Sequence, residues 1–217
     1  MVIKNQTPKF FDPKGGEIDK DEFVKIYSLT YFWSPQNRNN LLEDKIERIL
    51  KRRQTSKDEL TEEEISDILC WKTGGQRQGN NVETARFQKS ISISEVKKCI
   101  DQHKDNDAEL LTNLISIDDV GYVYALTMLY FLSGGEYPIF DRYAHVAITA
   151  ITDNIGFCEP IKYNDLTTST NGDYVLRKYD SEYRQKIYSV FSKEETLGRD
   201  VDRALWAYGH LFYKEKK

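Results

Sequence analysis

The sequence predicts an all-α fold of roughly eight to ten helices. Three observations carry that prediction. Apolar residues recur at three- and four-residue spacing in segment after segment. Ser, Thr or Asp followed three residues later by Glu marks several helix starts. No run alternates apolar and polar residues as a half-buried strand does. The 217 residues, 39% hydrophobic and 30% charged, suffice for one domain, or one domain of two lobes, with a real core.

Residues 1–18 hold two of the five Pro and a Gly-Gly pair, and read as an irregular arm. From 19 to 217 the chain reads as a single helical domain. Asp19 caps a helix over 19–33 whose Phe23, Ile26, Tyr27 and Tyr31 share a face, and "SPQN" at 34–37 ends it. A second amphipathic helix over 39–53 sets Leu42, Ile46, Ile49 and Leu50 on one side. Thr61 and Glu64 form a capping box before Ile65, Ile68 and Leu69. "KTGGQRQGNN" at 72–81 reads as a loop, and 82–91 as helical. Ser92 and Glu95 make another capping box, and a short helix follows at 107–115. The stretch 120–132 is apolar nearly all round, the mark of a helix enclosed by others, and Gly134-Gly135 end it. Asp141 leads a helix over 141–153. Residues 154–172, with Gly156, Pro160 and "TTSTNGD", read as a long loop, and 174–191 as a polar helix. The last helix, 199–213, carries Val201, Ala204, Leu205, Tyr208, Leu211 and Phe212 on one stripe.

Composition narrows the function. The net charge of −4, from 31 basic and 35 acidic residues, gives no bulk pull towards nucleic acid or membrane. DNA contact therefore requires a local basic face. Cys70, Cys99 and Cys158 stand alone without ligand spacing, so zinc and iron–sulfur sites are not expected. The three Cys read as buried fillers in a reducing, cytoplasmic setting. The N-terminal residues contain no apolar h-region, and the run 120–132 is too short to span a bilayer. No membrane partner is expected, and the oligomeric state is not encoded legibly.

The candidate chemistry lies between 107 and 153. Gly121, at the start of the enclosed helix, lets another backbone or a phosphate come close. Asp141 reads as an N-cap, and a fixed carboxylate there would also stabilise positive charge developing on a sugar. One group can serve both roles. His145 follows one turn later and reads as structural or functional. Tyr122, Tyr124, Tyr130 and Tyr143, with Phe32 and Trp33, are core filler or walls for a stacked base. Asp118 and Asp119 read most simply as hairpin caps. "KRR" at 51–53 with Lys57, Lys72, Arg77, Arg86, Lys89, Lys97 and Lys98 is either a solvated face or a set of phosphate contacts. In the loop 73–81, Gln76, Arg77 and Gln78 are candidates to enter a duplex.

These residues resemble the helix-hairpin-helix DNA glycosylases, which include adenine DNA glycosylase and endonuclease III. Ile117-Asp118-Asp119-Val120-Gly121 takes the slot of the family's hairpin, Leu-Pro-Gly-Val-Gly, without its Pro and first Gly. Ala125 falls four residues after the last Gly, and "YPIFDRYA" puts Asp141 twenty residues after it. The resemblance spans about 35 residues, and "VDRALWAYGHLF" resembles the family's returning helix more loosely. It implies a two-lobed helical bundle that binds duplex DNA and hydrolyses the N-glycosidic bond of a flipped base, with Asp141 catalytic and no cofactor. It also implies base-side roles for Tyr122, Tyr143, His145 and Trp33, and backbone contacts from Val120, Gly121, Val123 and Arg77.

The departures have consequences. Asp118 and Asp119 replace the hairpin's Pro and first Gly, and carboxylates there repel a phosphate unless they turn away or hold a cation. Val123 occupies the slot of the lyase lysine, so no Schiff base is expected at that position. The acidic residue that the adenine-specific branch carries in an early helix has no clear counterpart beyond Glu22, and the four-Cys cluster is absent. These departures favour the alternative: a non-catalytic all-α module on the same scaffold, binding nucleic acid or protein.

Overall fold

The computed structural model describes residues 7–34, 40–56, 58–85, 88–161, 163 and 165–213. Among them the chain is mainly helical. It forms two compact units: one from segments 1–37, 140–165 and 180–217, the other from 38–139 and 166–179.

In the first unit, α1 (Lys20–Trp33), α7 (Arg142–Thr152) and α11 (Asp200–Phe212) pack together. The expected caps form: Asp19 accepts from Glu22 N and Asp141 from Ala144 N, each at 2.8 Å. Phe23, Tyr27, Tyr208 and Phe212 make a continuous aromatic core, with ring centroids about 5 Å apart. Gly209 is required where α11 crosses α7, because a Cβ there would strike the Tyr143 carbonyl. The N-terminal segment is not wholly irregular. Strands β1 (Phe10–Phe11) and β2 (Glu17–Ile18) pair antiparallel, and Phe10 is buried against Phe23.

The second unit holds α2 (Asn40–Thr55), α3 (Glu62–Thr73), α4 (Ile93–His103), α5 (Asp107–Ile115), α6 (Tyr122–Leu132) and α8 (Gly172–Tyr179). Residues 125–131 of α6 are all buried, as an all-round apolar helix requires. Its C-terminus is capped from outside: the Arg53 guanidinium donates to Phe131 O and Leu132 O, at 3.4 and 2.7 Å. The Thr61–Glu64 capping box forms on both sides. Ser92 makes its half, accepting from Glu95 N at 3.4 Å.

The reading of 72–81 as loop and 82–91 as helix is corrected. A three-stranded antiparallel sheet, β3 (Gln76–Gln78), β4 (Asn81–Glu83) and β5 (Ser90–Ser92), lies between α3 and α4, so the fold is mainly α rather than all-α. Strands of three residues are too short to show a period of two. Only Val82 and Ile91 of the three strands are buried, so no apolar alternation marks them. The turn signal is Gly79, at φ +60° in the two-residue connection.

The helix expected over 174–191 is α8, a π-helical segment Asp180–Arg184 and α9 (Gln185–Val190), followed by the short α10 (Lys193–Thr196). Its buried residues, Val175, Tyr179, Tyr183, Ile187 and Phe191, fall every four positions. That spacing drifts round a regular α-helix, and the wider π turn takes up the drift. Cys158 is exposed rather than buried; Cys70 and Cys99 are buried, and burial pushes the Cys99 thiol up to about 11.

Candidate functional site

Helices α5 and α6 are joined by a tight turn. Val120 N donates to Ile117 O at 3.1 Å, and Asp119, the third residue of the turn, sits at φ +65°. That left-handed conformation ordinarily selects Gly or Asn. The carboxylate of Asp119 does not cap α6, which corrects that expectation. It accepts from Ser90 N at 3.0 Å and lies 3.3 Å from Lys89 Nζ, bonds that hold it below the usual carboxylate range. The turn is thereby tied to β5. Asp118 is exposed.

Gly121 is the N-cap of α6, in extended backbone, and makes no side-chain cap. Its surface is exposed, and nothing lies within 4 Å of where a Cβ would stand. Position 121 thus opens onto free space, beside Val120, which is buried, and Tyr122 and Val123, which are half-buried. Further along α6, Tyr130 is core, and burial with the nearby Asp119 charge raises the Tyr124 phenol.

The basic tract does not form one free face. Arg52 pairs with Glu64 at 2.7 Å, Arg53 serves α6 and Asp58 O, and Lys97 engages Glu59 and Asp101. Lys89 holds Asp119. Lys57 and Arg86 lie outside the described residues. Arg77 is exposed on β3, where its Nε donates to Gly79 O at 3.0 Å.

Asp141, Tyr143, His145 and Trp33 belong to the first unit; Val120, Gly121, Tyr122, Val123 and Arg77 belong to the second. Asp141, half-buried, spends one carboxylate oxygen on Ala144 N. The next two residues enter a cluster that sequence reasoning missed. The Tyr143 ring stacks on His210 at 3.6 Å and meets Trp206 and Tyr213 edge-on. The Arg142 guanidinium lies 5.1 Å from both the Tyr143 and Tyr213 rings and donates to the Tyr213 hydroxyl. His210 Nδ1 lies 2.8 Å from Trp206 O. The i, i+4 spacing of Trp206 and His210 was the available signal. Tyr143 is therefore locked by its neighbours.

His145 faces inward, among Phe140, Tyr163 and Tyr183. Its Nδ1 is buried without a hydrogen-bond partner, and burial pushes the imidazole down to about 4. Trp33 is 85% exposed at the end of α1, whereas Phe32 lies under the Arg203 guanidinium. Glu22 is exposed in the first turn of α1. Glu43, unforeseen, is buried and accepts from Trp71 Nε1 at 2.7 Å.

Among the described residues no group of three His, Cys, Asp or Glu side chains is placed to hold a metal ion, and no helix is long and apolar enough to cross a membrane. Comparison with family models, curated proteins and solved structures gives no match.

Proposed function

We propose that this protein binds duplex DNA through the α5–α6 hairpin and releases a flipped base by hydrolysis of its N-glycosidic bond. Asp141 would stabilise the positive charge that develops on the sugar as water adds and the base leaves. One observation carries the reading. Asp119 adopts a glycine-like conformation at the turn position where the glycosylase hairpin has its first Gly, two residues before Gly121, the N-cap of a helix without a side-chain cap. Such an N-terminus suits a phosphate. The Asp119 carboxylate, which would repel one, is engaged by Lys89 and Ser90 N. Asn or Asp is tolerated in left-handed backbone where a branched or bulky residue is not, so the turn survives the loss of the Gly.

A second reading, a non-catalytic binding module, is favoured by the internal use of Arg52, Arg53 and Lys97, which leaves few cations for a DNA backbone.

Gly121→Asp tests the hairpin. Position 121 is extended and has open space, so Asp fits and caps α6 with its own carboxylate. Stability should rise by about 0.3–1 kcal/mol. Duplex affinity should fall sharply, because the amides meant for a phosphate are occupied and a negative charge is added. Equal affinity of the two proteins would remove this hairpin from DNA binding.

A further inference from the structure

His145 points inward from α7 against the chain segment 180–190. Its ring centroid lies 6.1 Å from that of Tyr183 in the π-helical turn, 5.8 Å from Tyr163 and 5.6 Å from Phe140. Phe140 itself meets Tyr183 edge-on at 5.0 Å. Inside this aromatic box Nδ1 is buried and makes no hydrogen bond. An unpaired ring nitrogen costs a neutral imidazole little. It costs an imidazolium far more, because both nitrogens must then donate and the charge is left without water.

The charges around the box do not relieve this. Lys186 on α9 adds a like charge, and its Nζ is turned to Thr149 Oγ1 at 3.4 Å and Asp153 at 3.6 Å. Glu182 and Asp153 pull the other way, each more weakly than Lys186 pushes. Asp180 and Arg184 pair with each other 2.9 Å apart. Burial outweighs all of these and holds the imidazole at about 4.

The covering segment is lightly anchored. Within 180–190 only Tyr183 and Ile187 are buried. The segment begins with the π turn, which interrupts the regular i→i−4 ladder, and α9 after it is six residues long. Segments with few buried apolar contacts are the ones that open locally.

We infer that 180–190 is an acid-released flap on α7: it stays seated while His145 is neutral, and it lifts to let His145 take up a proton. Lifting moves Tyr183 off the ring and admits water to Nδ1. In the lifted state the imidazole titrates near its ordinary value of about 6.5. The seated state therefore loses ground as pH falls through about 6.5 and on to about 4, below which both states are protonated. The inference is independent of base excision.

The test is amide hydrogen exchange of the full chain from about pH 7.5 to about pH 4, corrected for the chemical exchange rate at each pH. Wild type, His145→Leu and His145→Gln are compared, with melting curves to establish folding. Neither replacement takes up a proton. In the wild type, amides of 180–190 should open more readily than the core amides of α1 and α11 at every pH. Their opening should rise at least about tenfold from pH 7 to pH 5. Either folded variant should lose most of that rise. Exchange in 180–190 no faster than in α1 and α11 would mean that the segment leaves only on global unfolding, and the flap falls. A rise that both variants keep overturns it too. So does a wild-type rise confined to below about pH 5, the range of ordinary carboxylates, and this profile decides the matter if neither variant folds.

Discussion

Asp119 joins two opposing demands. Its backbone takes a glycine's conformation, and its side chain takes up a cation and an amide from the neighbouring strand. Asn tolerates the same backbone and still accepts from Ser90 N, but carries no charge. Asp119→Asn should leave the melting temperature little changed and tighten duplex binding at low salt, with the gain shrinking as salt rises. Affinity titrations at two salt concentrations check this; no gain at low salt would mean that the carboxylate does not face DNA. His145 gives a prediction of the opposite kind, in stability rather than binding. Burial, then the Lys186 charge, holds its imidazole down at about 4, against the pull of Glu182 and Asp153. In the unfolded chain the group titrates near 6.5. The unfolded state thus takes up a proton that the folded state refuses. Stability is intact above pH 6.5 and falls as pH drops towards 4, by about 2–3 kcal/mol. Denaturant titrations at pH 7 and 4.5 should show that wild type loses about 2 kcal/mol more than His145→Leu. Equal losses would contradict the assignment.

At the scale of elements, helices were readable where one residue both starts the helix and fits its fold. Asp19, Thr61, Ser92 and Asp141 cap as their positions imply, because the cap bond is local. The three-residue strands were not readable, since their pairing is set by partners elsewhere in the chain and only Val82 and Ile91 turn inward. The fate of Arg53 was hidden for the same reason. "KRR" looks like a solvated or phosphate-binding run, yet the guanidinium of Arg53 finds carbonyls nearly eighty residues away. Arg53→Met should cost about 1.5–3 kcal/mol, the worth of charge-assisted bonds to those carbonyls. Denaturation measures it, and a loss below about 0.5 kcal/mol would show that water replaces the arginine freely. The candidate site was legible in part. Gly121 and Asp141 stand at helix starts as expected, whereas the Arg142–Tyr143–His210–Trp206 cluster depends on α11 approaching α7 at Gly209. Gly209→Ala should destabilise the first unit by about 1–3 kcal/mol or more, by overpacking against the Tyr143 carbonyl.

For the whole molecule, a net charge of −4 means that attraction to DNA must come from a few local groups. Duplex affinity should therefore depend on salt with a small slope, set by few phosphate contacts. Val123 supplies no amine, so borohydride treatment on abasic DNA should trap no adduct at that position. A trapped adduct would point to another amine and reopen strand cleavage. The most direct measurement is base release from a panel of lesion-containing duplexes by wild type and Asp141→Asn. Asn caps α7 as well as Asp, so the variant should fold with stability changed by well under about 1 kcal/mol. The account predicts release from at least one duplex by the wild type and none by the variant. Equal release by both proteins, or duplex binding by the wild type without release from any lesion, would contradict it.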